Sequence, residues 1–434
     1  MERLLILLLL LLFFMIYNLD GKRITTPACL SVLVFMISSV VFAINAEKWE
    51  TEIRIETVWL IFSALLVFWI GSKAKFKIRF VSTKRDDNSQ GDLYYDVKPM
   101  IIIALFLAGM VVDYVIYRRA MQIISNYAAG KFALYTLRNA LAKDASWGTM
   151  ISVLRESYYA VGYSCLFVYC VNISYSPKTS WKKWLYVLLP VIPMLIAMFL
   201  STGRTGFIRV TCVVFISLIT LINYSKRVKI SKLARNGILV FAALLYVFFQ
   251  LGKATGKSQI FSAFDTLSIY VGSSIGALDG YLKNPVSFSN SIAGETLYGL
   301  RKIARIFNER IVATPIPLPF HYVVHGYNTN VYTALRRYIN DFGVIGMYGI
   351  MAMKGMIFGH WEQSLREKKN KGLSLLLYAY FMYDIVMQSI EENFLRELFT
   401  VAQIFILIVF FLLYYYVLVP SRTYKPAEKE ELRN

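Results

Sequence analysis

The chain has 434 residues, 57% hydrophobic and 17% charged, and its mean hydropathy of +0.51 places it with membrane proteins and excludes an aqueous enzyme. The formal net charge of +20 would point to nucleic acid only if the basic residues formed a stripe interleaved with aromatics in a soluble domain. They fall mostly in short loops between apolar runs, so the basic excess reads as a membrane-topology signal and no nucleic-acid partner is expected.

Eleven apolar runs approach the roughly 20 residues that cross a bilayer core as a helix. They cover 4–18, 27–44, 57–71, 98–117, 151–171, 184–200, 206–223, 237–252, 338–359, 373–390 and 398–418. The expected fold is all-α, a polytopic membrane bundle of about 11 helices (10 to 12), because lipid offers the backbone no hydrogen-bonding partner. The loops 19–26, 72–98, 174–183, 224–236, 360–371 and 420–434 hold 25 basic residues, against four in the short opposite loops 45–56, 201–205 and 391–397. That bias puts the first set in the cytoplasm. The run Leu4 to Ile16 has the length of a signal-peptide core, but its basic pair Lys22 and Arg23 follows it, so it reads as an uncleaved helix with its N-terminus outside. Eleven crossings then leave the tail with Lys425 and Lys429 inside.

Two segments on the outer side are too long to be mere connectors: 118–150, and 253–337 with its 85 residues. The chain accordingly divides into N-terminal membrane helices (1–252), a large extracytoplasmic loop (253–337), and C-terminal membrane helices with a cytoplasmic tail (338–434). The cysteines Cys29, Cys165, Cys170 and Cys212 all lie in apolar runs, form no CxxC pair and have no His or carboxylate cluster beside them, which reads as core packing without metal or disulfide. No internal repeat at a fixed period is evident.

In chain order, Asp113 is a carboxylate inside the fourth apolar run, followed by Arg118 and Arg119, and reads as one member of an interface charge pair. The turn Ser201-Thr202-Gly203-Arg204-Thr205-Gly206 places Arg204 among hydroxyls and glycines before an apolar helix, where it would hold an anion or snorkel to the surface. Glu295 to Arg310 reads as a basic amphipathic helix, with Leu300, Ile303, Ala304 and Phe307 at helical spacing and Arg301 and Arg305 one turn apart on a common face. Such a face would grip a pyrophosphate, or lie on the outer leaflet with its arginines near lipid head groups.

Two of the three histidines, His321 and His325, sit four apart in the same loop without the acidic residue of HExxH. No metal is expected there; His325 is a candidate general acid or base, or a packed histidine. The stretch from Tyr327 through Asn328, Asn330, Tyr332, Arg336, Arg337, Tyr338 and Asp341 is polar and basic before it enters an apolar helix. Arg337 and Asp341 are spaced as an i, i+4 pair at the membrane boundary, with Gly343, Gly346 and Gly349 allowing close helix contact, and form either a neutralised anchor or part of a site.

The S-T-G-R-T-G turn, the large outer loop and the sequence Tyr338-x-x-Asp341-Phe342-Gly343-x-x-Gly346 after Asn330-x-Tyr332, within some eleven helices, resemble the oligosaccharide repeat-unit polymerases, the Wzy-type O-antigen polymerases. The likeness covers most of the chain in topology, with its sharper motifs at 201–206 and 328–355. It implies a GT-C-like membrane glycosyltransferase in the cytoplasmic (inner) membrane. Such an enzyme transfers a growing glycan from undecaprenyl pyrophosphate to the non-reducing end of a new lipid-linked repeat unit, building an O-antigen or capsule. It uses no cofactor, and a chain-length regulator and a flippase are its implied partners, besides membrane lipids.

In that chemistry the leaving group is already good, so the protein has to neutralise charge on the pyrophosphate and position the acceptor hydroxyl. Arg204, Arg301, Arg305, Arg336 and Arg337 are the candidates for the first task, and His325, Asp341 or Glu295 for deprotonating the hydroxyl. Tyr327, Asn330, Tyr332 and Tyr338 would contact sugar, although tyrosines at a membrane interface are also expected as belt residues. An O-antigen ligase and a lipid-linked oligosaccharide flippase are the alternatives. The ligase pattern H-x7-G fails at His325 because position 333 is Thr.

Overall fold

The computed structural model describes residues 1–74, 92–126, 134–143, 146–175, 181–203, 205–225, 246, 250, 263–285, 293–312, 318–324, 327–367 and 372–425. In chain order the elements are helices α1 (Glu2–Leu19), α2 (Pro27–Asn45) and α3 (Ile55–Ser72), strand β1 (Asp92–Tyr95), α4 (Pro99–Ser125), α5 (Leu134–Lys143) and α6 (Thr149–Tyr175). A 3-10 helix (Trp181–Leu188), α7 (Val191–Leu200), α8 (Thr205–Ser225), α9 (Ala263–Lys283) and α10 (Tyr298–Phe307) follow. The remainder is β2 (His321–Val324), β3 (Tyr327–Thr329), α11 (Ala334–Glu367), α12 (Gly372–Met387), α13 (Phe394–Leu398), α14 (Val401–Leu413) with a π turn at Tyr414–Leu418, and β4 (Arg422–Lys425).

Among the described residues six helices are long and apolar enough to cross a membrane, α1 to α4, α11 and Val401–Leu418, or seven if one bent pair counts as a span. The chain is thus a multi-pass, all-α membrane bundle. Two runs expected to span, 206–223 and 373–390, appear as shorter apolar helices, and the run 237–252 lies almost wholly outside the described residues. The run expected at 184–200 is bent by 44° between Leu188 and Val191. Pro190 lies at that break and Pro193 just beyond, and proline removes a backbone donor and crowds the preceding turn.

The chain folds as two compact units. The first contains Met1–Phe80, Ile260–Glu367 and Phe381–Gln403. Thr26 opens α2 by accepting the Cys29 N–H at 3.3 Å, and Pro27 occupies the first helical turn where its missing N–H costs nothing. α1, α2 and α3 pack on one another, α9 packs on α2, and α11 packs on α3. The close approach rests on small residues: a Cβ at Gly355 would strike the Phe68 carbonyl, and one at Gly71 the carbonyl of Ala352. At one end of this unit Lys73 pairs with Asp20, and Arg23 reaches Glu362 at 3.4 Å. At the other end Asp279 of α9 accepts from the Arg54 backbone N–H (2.9 Å) and the Thr57 hydroxyl (2.5 Å), and Asp265 meets Lys48 at 2.5 Å.

The second unit contains Val81–Gln259, Lys368–Tyr380 and Ile404–Asn434. α6 packs on α8 and α7, and α4 packs on α7. β1 pairs antiparallel with β4, Asp92 opposite Lys425 and Tyr95 opposite Arg422. The buried Asn172 of α6 satisfies both backbone groups of Tyr95 at 2.8 Å. Asp113 is buried here with neither carboxylate oxygen hydrogen-bonded among the described residues, while Arg119 turns to Gln122 and the Ser146 carbonyl. The interface charge pair expected for Asp113 is therefore not formed with Arg119. The four cysteines are free and buried, in keeping with core packing, and no cluster of metal-ligating side chains occurs among the described residues.

Candidate functional site

The first unit gathers most of the described candidate residues at the start of α11. This helix is two pieces: Ala334–Phe342 and the long apolar segment after Gly343, whose φ of 69° and ψ of −179° interrupt the helical backbone. The apolar span was expected to begin at 338; the observed break lies at 343, where glycine permits a backbone that other residues resist. Gly343 and Gly349 have nothing within 4 Å of a Cβ position, and Gly346 faces only Phe342 of its own helix. The expectation that these three glycines make close helix contact is therefore incorrect. Gly355, Gly359 and Gly71 do that instead, because they lie where α3 and α11 run side by side.

The short first piece carries the ionic residues. Arg336 is fully buried and paired with the buried carboxylate of Glu295, and its guanidinium lies 4.7 Å from the Tyr281 ring and 5.2 Å from the Tyr332 ring. Stacking against both rings suits a planar, weakly hydrated cation. Arg337, also buried, comes within 4.0 Å of the same Glu295. Burial raises the Glu295 carboxyl above its ordinary value, outweighing Arg336 and Arg337, which pull it down. Its Oε1 has no hydrogen-bond partner among the described residues.

Asp341 accepts the backbone N–H of Glu295 at 3.0 Å and of Thr296 at 2.5 Å, so it fixes the turn that carries Glu295. Its role is thus tied to that turn, and Arg337 comes to Glu295, so of the two readings of the i, i+4 spacing the self-neutralised anchor is not formed among the described residues. Tyr332 donates to the Pro319 carbonyl at 2.9 Å, and burial pushes its phenol up to about 12. Asn330 follows β3 and is half-buried. Tyr327 opens β3, paired opposite Val324.

A second layer lies below. The buried Tyr338 hydroxyl donates to Glu392 at 3.2 Å and accepts from Lys354 at 3.1 Å. Lys354, fully buried in the long piece of α11, pairs with Asp384 of α12 at 2.5 Å. Asp384 and Glu392 together accept four backbone N–H groups, from Asn393 through Arg396, at the start of α13, where free amides favour carboxylates. Arg396 pairs with Glu391 and donates to Asn393 at 2.9 Å. Tyr281, Lys354, Asp384, Glu391, Glu392 and Arg396 are absent from the sequence-based set. Lys354 and Asp384 each carry a readable signal, a charge within an apolar run.

Arg301 and Arg305 lie on α10 but outside this cluster: the Arg301 guanidinium donates to the Val312 carbonyl at 2.9 Å, and Arg305 is exposed. The amphipathic helix expected at Glu295–Arg310 is shorter, because Glu295 belongs to the preceding turn. Arg204 and His325 lie outside the described residues. Arg336 already has Glu295 as counter-ion, so its charge is neutralised within the cluster. What the arrangement offers chemically is one buried carboxylate with a spare oxygen, held by two arginines and a tightly bonded turn. The chain matches no protein-family model, no curated protein and no solved structure.

Proposed function

We propose that the chain is an oligosaccharide repeat-unit polymerase of the Wzy type, a membrane glycosyltransferase acting on undecaprenyl-pyrophosphate-linked glycans at the outer face of the cytoplasmic membrane. The observation that carries this reading is Glu295, buried where the large loop meets a membrane helix, with one oxygen on Arg336 and the other without a partner among the described residues. A buried ionic cluster at such a boundary is costly and is a functional-site hypothesis by default.

In the proposed reaction Glu295 takes the proton of the acceptor sugar hydroxyl, and that oxygen attacks the anomeric carbon of the growing glycan. The bond from that carbon to pyrophosphate breaks, and undecaprenyl pyrophosphate leaves with the electron pair. Arg301 and Arg305 neutralise the leaving group, while Arg336, Arg337 and Asp341 hold Glu295 in place; Arg204 is assigned a share of that charge by the family resemblance alone. The aromatic rings of Tyr281 and Tyr332, which lie against the guanidinium of Arg336, are the sugar-facing surfaces in this reading.

The test is the surface glycan of a deletion strain beside strains complemented with the wild type, Glu295→Gln and Arg204→Ala, with membrane levels of each protein measured. Loss of the polymer ladder with retention of single repeats, unrestored by Glu295→Gln at normal protein level, supports the proposal. A full ladder from Glu295→Gln removes that residue as base. Polymer retained on undecaprenyl pyrophosphate would turn the reading to a ligase. A second reading, a lipid-linked oligosaccharide flippase, draws on Lys354, Asp384 and Asp113, charges buried in apolar helices. It predicts that no repeat reaches the outer face of the deletion strain.

A further inference from the structure

We propose that α10 is a membrane-surface helix whose apolar side is seated in the headgroup and acyl boundary of the bilayer and whose basic side meets anionic lipid. Its sequence divides cleanly at helical spacing: Leu300, Ile303, Ala304, Ile306 and Phe307 fall on one side, Arg301, Lys302 and Arg305 on the other. In a water-soluble setting the apolar side would be buried. Here Ile306 is 72% exposed and Phe307 85% exposed, and Leu300 is exposed beside them.

Two attachments set the level at which the helix lies. The turn leading into it is held by Asp341, two residues before the break at Gly343, after which Val344 and Ile345 begin the apolar part of α11 with their side chains exposed. Its own flank packs through Gly299 on the backbone of Phe399 and Thr400, where a Cβ would lie 2.7 Å from the Thr400 nitrogen. Val401–Leu418, which starts one residue later, is itself long and apolar enough to cross a membrane. The helix is thus tied at the ends of two spans, at the depth where hydrocarbon gives way to head groups. An amphipathic helix with bulky apolar residues opposite Lys and Arg is the form that lies in this layer. The basic side selects anionic lipid, as juxtamembrane Lys and Arg do. This inference concerns where the helix sits and not what the chain transfers, and it agrees with the polymerase reading because the pyrophosphate that Arg301 and Arg305 would meet there is itself the head group of an anionic lipid.

The experiment uses the full chain with Cys29, Cys165, Cys170 and Cys212 replaced by alanine. A single spin label is placed by Leu300→Cys, Lys302→Cys or Phe307→Cys, and the protein is reconstituted in vesicles of phosphatidylcholine with phosphatidylglycerol. Labels at 300 and 307 are expected to collide more with oxygen than with a water-soluble nickel complex, and the label at 302 the reverse. Equal nickel access at 307 and 302 would place the helix in water and overturn the proposal. Shielding of 307 from both reagents would mean that protein covers it, and would overturn the proposal equally. Omitting phosphatidylglycerol should make the label at 307 shallower. That dependence should vanish when Lys302→Gln and Arg305→Gln are added, and its persistence would refute the role of the basic side.

Discussion

Replacing Gly343 with alanine isolates the backbone strain at the break in α11. A Cβ there meets nothing within 4 Å, so the substitution adds no clash and its cost is conformational alone. The φ of 69° with ψ of −179° lies in a region held essentially by glycine, and a non-glycine residue forced into it costs roughly 1–3 kcal/mol. Gly349, further along the same helix, also has open space but lies in regular helix, so its change to alanine should be neutral or stabilise by up to about 1 kcal/mol. The same chemical change is thus expected to act with opposite signs six residues apart. Cys29 is the buried free thiol of this unit, and with the other three cysteines replaced by alanine its reaction with a thiol-reactive dye reports unfolding in detergent. At roughly 2–4 °C per kcal/mol for a unit of this size, the Gly343→Ala midpoint should fall by about 2–12 °C. A midpoint at or above that of the wild type would refute the assignment of Gly343 as an obligatory break.

Lys354→Met leaves Asp384 buried without its counter-ion and should destabilise by about 3–5 kcal/mol, while adding Asp384→Asn, which keeps an acceptor for the amides of Asn393 and Phe394, should recover much of the loss in the same thermal assay. A double variant no more stable than the single one would show that the pair is not the source. Glu295 has a raised folded-state value, so the folded chain holds that proton more tightly than the unfolded chain, and stability from this group is lost as pH rises from the ordinary carboxylate range through the raised value. Glu295→Gln lacks this slope, and its stability relative to the wild type should improve across that window; a change in the wild type's favour would contradict the direction of the shift.

The membrane class, the all-α fold, the first three spans almost to the residue and the core role of the cysteines are legible in the sequence, because hydropathy over 18 or more residues is a local property that lipid enforces on each helix separately. That Arg336, Arg337, Tyr338 and Asp341 stand together is legible as a density of polar and charged groups before an apolar run. Their pairing is not: Glu295 lies 41 positions from Arg336, and the i, i+4 rule that ties Arg337 to Asp341 is overridden by a turn whose free amides compete for the same carboxylate. Lys354 reads as an isolated charge in a span until the fold brings Asp384 of another helix to it. Likewise glycine spacing announces close packing at 343, 346 and 349, whereas the tight contacts fall at 71, 355 and 359. Sequence determines which segments leave water, since that depends on composition along the chain; which buried charges neutralise one another depends on distances across the chain, and only the tertiary structure decides them.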